Sequence, residues 1–201
     1  ITTFDSGGSS AELRRAFDMP AVGDIRARIM ALADRSLEGN SETVELLGYR
    51  LPKDAGPEAL HRELASLASG AHPLVAAIPE PMNEVVTQHL SAFRSLMPVD
   101  MDLAGASIGN LILTSGYLSL DRQLEPVVRV FSGMVQARGV VMPVADSCAH
   151  LCVRLENGEV IVGQHRFTGK TATAITSPIL DMWLSASLDA VSYTHLTLPT
   201  T

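Results

Sequence analysis

The run Asp5-Ser6-Gly7-Gly8-Ser9-Ser10 gathers one carboxylate, two adjacent glycines and three hydroxyls. Paired glycines let backbone amides turn toward an anion, the Ser9 and Ser10 hydroxyls add donors, and a helix starting there contributes the positive end of its dipole. Asp5 would repel a bare phosphate, so its fitting partner is a bridging Mg²⁺ or a ligand hydroxyl. Taken alone, the same residues read equally as a flexible turn with a capping serine. Further along, Gly23-Asp24-Ile25-Arg26 puts a carboxylate at a helix start with a guanidinium two residues on. Arg26 could clamp a phosphate with its planar fork, and the blander pairing is a capping Asp24 with a solvated Arg26. Gly105-Ala106-Ser107-Ile108-Gly109-Asn110-Leu111 is a second glycine-containing helix entry, polar only at Ser107 and Asn110. An Asn near the start of a buried helix usually caps something or reaches a ligand.

Three other patterns carry less. Thr168-Gly169-Lys170-Thr171 has the ending of a P-loop, but five residues separate Gly163 from Gly169 where the motif has four, and no apolar helix follows before Pro178. Cys148, His150 and Cys152 would share one face of a strand, a partial zinc set with no evident fourth ligand. Ser115 and Ser147 lack a nucleophile elbow.

The elements that must hold these residues follow from apolar spacing. Ser9-Ser10-Ala11-Glu12 fits a capping box opening a short helix to Phe17. After the turn Met19-Pro20-Ala21-Val22-Gly23, Asp24 can cap a second helix to about Asp34, with Ile25, Ile29 and Leu32 on one face. Residues 38–81 read as shorter helical pieces, with Leu60, Leu64 and Leu67 as a stripe and Pro57 and Pro73 as punctuation. Val86, Leu90 and Phe93 mark an amphipathic helix over 82–96 that Pro98 stops, and 107–120 is a nearly apolar, buried helix. Leu124, Val127, Val128, Phe131, Met134 and Val135 predict a helix over 122–138 ended by Gly139. Residues 140–144 read as a buried strand, and 151–155 with 160–164 as a hairpin around Asn157-Gly158. Helices followed by strands in this order predict an α/β, Rossmann-like fold: a mainly parallel sheet, helices on both faces, and an added antiparallel hairpin.

Composition narrows the function classes. The 201 residues are 46% hydrophobic, enough for a substantial core, and carry a net charge of −7 with pI near 5.3. That balance disfavours nucleic acid, whose backbone is gripped by clustered Lys and Arg. No apolar run approaches the roughly 18 residues of a membrane span. With only two cysteines, a reducing, cytoplasmic setting is the simpler expectation. Ile1-Thr2-Thr3 reads as the end of a strand whose beginning lies upstream, so residues 1–190 are expected to be a partial domain. The stretch 191–201 breaks the preceding pattern and reads as a non-native tail.

Three blocks, Thr3-Phe4-Asp5-Ser6-Gly7-Gly8-Ser9-Ser10, Pro20-Ala21-Val22-Gly23-Asp24-Ile25-Arg26 and Ala104-Gly105-Ala106-Ser107-Ile108-Gly109-Asn110-Leu111, together resemble the family joining phospholactate transferases of deazaflavin-cofactor synthesis with bacterial gluconeogenesis factors. Arg138-Gly139-Val140-Val141-Met142-Pro143-Val144 and the hairpin at Asn157-Gly158-Glu159 are similar to that family's strand and hairpin after the long helix. The resemblance covers about residues 2–190. It implies a Rossmann-like fold and a phosphate-bearing ligand such as a nucleotide-sugar, with Asp5 near the metal or phosphates. The loop Gly7, Gly8, Ser9 and Ser10 would lie beneath them, and Asp24, Arg26, Gly109 and Asn110 would face the same cleft. The transferase branch moves a phospholactyl group to a deazaflavin alcohol with Mg²⁺; the gluconeogenesis-factor branch is a nucleotide-sugar binder and regulator. The Gly-Gly-Ser loop favours the second branch. Ala106 and Ala27 stand where the family usually has His and Asn, which removes two polar contacts and favours a non-catalytic sensor acting through a protein partner. Whether the chain forms a homo-oligomer is left open.

Overall fold

The computed structural model describes residues 1–168 and 175–186. Eight α-helices come first among these: α1 (Gly8–Phe17), α2 (Gly23–Ala31), α3 (Asn40–Gly48), α4 (Pro57–Ala68), α5 (Pro73–Ala76), α6 (Met82–Leu96), α7 (Ile108–Ser119) and α8 (Leu124–Met134). Helix α7 is the hub. It is apolar almost all round and buried from Ile108 to Tyr117, so it must be enclosed on every side. Helices α1, α2, α3, α6 and α8 all pack on it. The leucine stripe of α4 and the Val86, Leu90 and Phe93 face of α6 are fully or almost fully buried where the two helices meet. Phe93 also packs edge-on against Phe17, with ring centroids 5.9 Å apart. Burying one such side chain contributes about 1.5–3 kcal/mol. Pro57 and Pro73 each sit in a first turn, where a missing N–H costs nothing.

A three-stranded antiparallel sheet of order β2-β1-β3 follows, made of β1 (His150–Leu155), β2 (Val160–Val162) and β3 (Ile179–Ser185). The expected hairpin is present. Gly158 takes φ +87°, its N–H donates to Leu155 O at 3.0 Å, and Asn157 Oδ1 accepts the Glu159 N–H at 3.0 Å.

Of the parallel part of the expected sheet the described residues show one pair of hydrogen bonds. The Ile1 amino group donates to Met142 O at 2.7 Å while Ile1 O accepts the Val144 N–H at 2.9 Å. One residue bonded to the residues either side of the one it faces is the pattern of parallel strands. Thr3 Oγ1 extends this contact, donating to Ala145 O at 3.1 Å. The chain is thus α/β, and its fold is of the Rossmann-like kind.

Four local expectations need correction. Residues 140–144 run beside Ile1 but are neither assigned as a strand nor buried: Val140, Met142 and Val144 are 86%, 59% and 72% exposed. An apolar run permits a strand, but a strand needs a paired neighbour along its length and burial needs a layer over it. Helix α8 ends at Met134, because Gln136 adopts a left-handed φ of +46° before Gly139 is reached. Helix α2 ends at Ala31, so Leu32 falls beyond the buried face of Ile25 and Ile29 and is 37% exposed. Neither the capping box of α1 nor the Asp24 cap of α2 forms: the helices are preceded by Gly7 and Val22, and neither has a side-chain cap. The tail 191–201 and residues 169–171 of the P-loop-like run lie outside the described residues.

Candidate functional site

The first block forms a turn and a helix start with free donors. Asp5 Oδ1 accepts the Gly7 N–H at 3.1 Å, closing a local turn that leaves the other carboxylate oxygen unused by it. Gly8 takes φ +53° with open space where a Cβ would stand. Glu12, instead of reaching back to cap α1, pairs with Arg15 and accepts the Asp102 N–H at 3.0 Å. Ser9 and Ser10 therefore lie inside the first turn with their hydroxyls aimed elsewhere.

Arg14 fixes this turn to the sheet. Only 6% exposed, it donates from Nη1 to Phe4 O and Asp5 O, both at 3.1 Å, and from Nη2 to Ala149 O at 2.6 Å. The same Nη2 lies 3.7 Å from Cys148 Sγ and 3.4 Å from His150 Nδ1. A guanidinium therefore occupies the face where a zinc ion was conceivable. Burial also pushes the Cys148 thiol up, away from the thiolate a metal needs. Among the described residues no group of three or more His, Cys, Asp or Glu side chains could hold a metal.

The second and third blocks converge on Ser9 and Ser10. Arg26 Nε donates to Asn110 Oδ1 at 3.0 Å across 84 residues of sequence, and Asn110 Nδ2 donates to Ser9 Oγ at 3.2 Å. Two glycines make this approach possible. A Cβ on Gly23 would stand 2.6 Å from Ser10 Oγ, and one on Gly109 would stand 2.6 Å from Leu47 O and 2.7 Å from Arg26 Cδ. Every candidate from Asp5 to Asn110 is thus brought to one neighbourhood.

Two residues that the sequence reasoning missed join them. Arg50 Nη1 donates to Gly105 O at 3.0 Å and approaches Ser9 Oγ at 3.4 Å. A short antiparallel bridge to Ser107 places it, with Leu51 N–H donating to Ala106 O and Ile108 N–H to Tyr49 O. The only sequence hint was an extended Tyr49-Arg50-Leu51 wedged between helices and stopped by Pro52. The other is His165, whose Nδ1 lies 2.7 Å from Ser6 Oγ.

The electrostatics are unbalanced in two places. Burial and the neighbouring Arg50 charge both lower the Arg26 pKa, and among the described residues neither arginine makes an ion pair. Burial and then the Asp5 carboxylate raise Asp24, with Arg28 opposing. Like charges crowded together are tolerated where a counter-charge arrives from outside. A cavity of about 220 Å³ opens beside Ser9, between α1 and the segment 101–106, lined by Gly8, Glu12, Asp102 and Ala106 among others. A roomier apolar hollow around His89, Gly116 and Phe131 shares no residue with this cluster and holds no carboxylate, guanidinium or ammonium group.

The family described as 2-phospho-L-lactate transferase CofD matches residues 1–193. An uncharacterized protein of Saccharomyces cerevisiae is 32% identical over 82% of the chain and 37% of its own length. A putative gluconeogenesis factor of Thermotoga maritima is 22% identical over 95% of the chain and 43% of its own. A solved Bacillus halodurans protein of the UPF0052 family superposes with a TM-score of 0.57 at 21% identity, over 92% of this chain and 41% of that one, a likeness of fold. The chain spans about two fifths of the length of these relatives.

Proposed function

The chain belongs to the 2-phospho-L-lactate transferase CofD family, and on that premise we propose that the residues around Ser9 seat the phosphate of a phosphate-linked small molecule, such as a nucleotide-sugar. The observation that carries this reading is the meeting of Arg26 and Arg50, two guanidiniums without an ion-pair partner among the described residues, beside Ser9, Asn110 and the uncapped start of α1. A phosphate placed there gains charge-assisted hydrogen bonds from both side chains and relieves their mutual repulsion. Asp5 and Asp24 fit a Mg²⁺ ion held jointly with the phosphate, because that ion commonly takes one or two carboxylates and completes its shell with substrate oxygens and water. When bound, it would neutralise charge developing on a transferring phosphoester. The chain's own part is to orient the phosphate through Arg26, Arg50 and Asn110 and to offer amides from the Gly7-Gly8 turn.

A second reading, a non-catalytic sensor of the same ligand acting through a protein partner, is favoured by Ala106 at the cavity wall and by exposed Ala27. Thermal unfolding with UDP-sugars and with guanine nucleotides, each with and without Mg²⁺, tests both. A ligand at 100 times its Kd should add about 2.7 kcal/mol of stability. A Mg²⁺-dependent gain with turnover of a deazaflavin alcohol supports a transferase, and a metal-independent gain with UDP-sugar alone supports the sensor. No gain with any ligand would exclude both.

A further inference from the structure

Ser6 and His165 are 159 residues apart in sequence yet share the shortest polar contact at the glycine turn, 2.7 Å between Ser6 Oγ and His165 Nδ1. The His165 backbone N–H also points at Ser6 Oγ, at 3.5 Å. His165 lies in a single 3-10 turn, Gln164–Arg166, carried by the end of the hairpin. Two glycines permit this contact. Gly163 takes φ +98°, and a Cβ on it would stand 3.1 Å from Ser6 Oγ and 3.2 Å from the imidazole. A Cβ on Gly7 would stand 3.2 Å from His165 Cβ. Gly163 is in turn held to the sheet, its N–H donating to Leu151 O at 2.8 Å. The contact is thus built by the fold, and nothing in the phosphate seat requires it.

We propose that Ser6 and His165 are a nucleophile and its proton acceptor, working on a phosphate monoester seated by the adjacent turn. With its own proton on Nε2, His165 accepts the Ser6 hydroxyl proton at Nδ1 as Ser6 Oγ bonds to phosphorus. The ester P–O bond breaks, the leaving oxygen takes the proton from Nδ1, and an alcohol and O-phosphoserine result. A hydroxyl acceptor, water or an alcohol, then attacks the phosphorus, gives its proton to Nδ1 and releases Ser6 with its hydroxyl restored. Covalent transfer of this kind needs a serine activated by an adjacent base, which is the arrangement of Ser6 and His165. The chain's uncapped α1 amides would stabilise the charge that develops on phosphorus oxygens. This inference deepens the phosphate-seat reading and rests on it only for the presence of a phosphate group at the turn.

A fluorophosphonate reagent tests the pair, because it reacts with a serine hydroxyl whose proton has an acceptor and loses fluoride as the P–O bond forms. Labelling of the full 201-residue chain is read by mass spectrometry of the peptide that contains Ser6. The expected result is an adduct on Ser6, absent in Ser6→Ala and formed at least about 100-fold more slowly in His165→Gln and His165→Ala. Both residues lie at the surface contact described above, so the melting temperature should hold in every variant. An unlabelled Ser6, or equal labelling with His165→Gln, would overturn the proposal. Calorimetry with inorganic phosphate reports on the seat separately. Labelling that depends on His165 in a chain that does not bind phosphate would keep the pair and remove the seat.

Discussion

Around α7 the chain buries Ile108, Leu111, Leu113, Leu90 and Phe93 to two per cent exposure or less, with apolar neighbours on every side. Around Ser9 the same chain leaves Arg26 and Arg50 close together without an ion pair among the described residues, Asp24 crowded by Asp5, and Gly8 facing open space. The first region is packed by the chain's own apolar residues, whereas on the proposed reading the second is completed by a phosphate-bearing ligand. Stability should therefore be concentrated in the helices, and affinity in the turn.

Four substitutions would break or sharpen that contrast. Phe93→Ala should have the largest effect, a loss of about 3–5 kcal/mol, because it empties a buried ring site and removes the edge contact to Phe17. Urea denaturation measures it, and phosphate affinity per folded molecule should not change. Arg26→Ala should do the reverse: phosphate binding weakened by about 1.5–3 kcal/mol in titration calorimetry, with stability nearly unaltered. Equal losses in both properties would dissolve the distinction between the regions. Gly109→Ala crosses it, since a Cβ would meet both the Leu47 carbonyl of the core and the Arg26 stem of the seat. It should cost about 1–3 kcal/mol of stability and weaken phosphate binding as well.

The smallest effect is the pH dependence of Asp24. Its folded pKa is raised by burial and by Asp5, so the ionised carboxylate disfavours the folded state. The penalty is present at neutral pH, is relieved as pH falls through the raised folded value, and is gone below the ordinary value of 3.8. Asp24→Asn should therefore gain less than about 1 kcal/mol at pH 7, screening included, and nothing below pH 3.8. A gain that persists in acid would assign the effect to helix packing instead.

What the sequence determined by itself was every feature that repeats locally. The leucine stripe of α4, the apolar faces of α6 and α8, the enclosed α7 and the Asn157-Gly158 turn all follow from side-chain spacing, and all are present. The glycine turn was legible because its glycines and hydroxyls stood out at a helix start, whereas the nearness of Asp24, Arg26 and Asn110 to it was implied only by the family resemblance of the three blocks. Tertiary structure alone decided the rest. Glu12 turned from the cap to Arg15 and Asp102, a partner 90 residues away, because a charged fork outcompetes a single amide. His165 carries no local signal and Arg50 only that of a short extended run before Pro52, and a bridge to Ser107 and a left-handed Gly163 bring them to the serines. Spacing fixes which face of an element is apolar, but the meeting of charges from distant elements depends on how those elements close around α7.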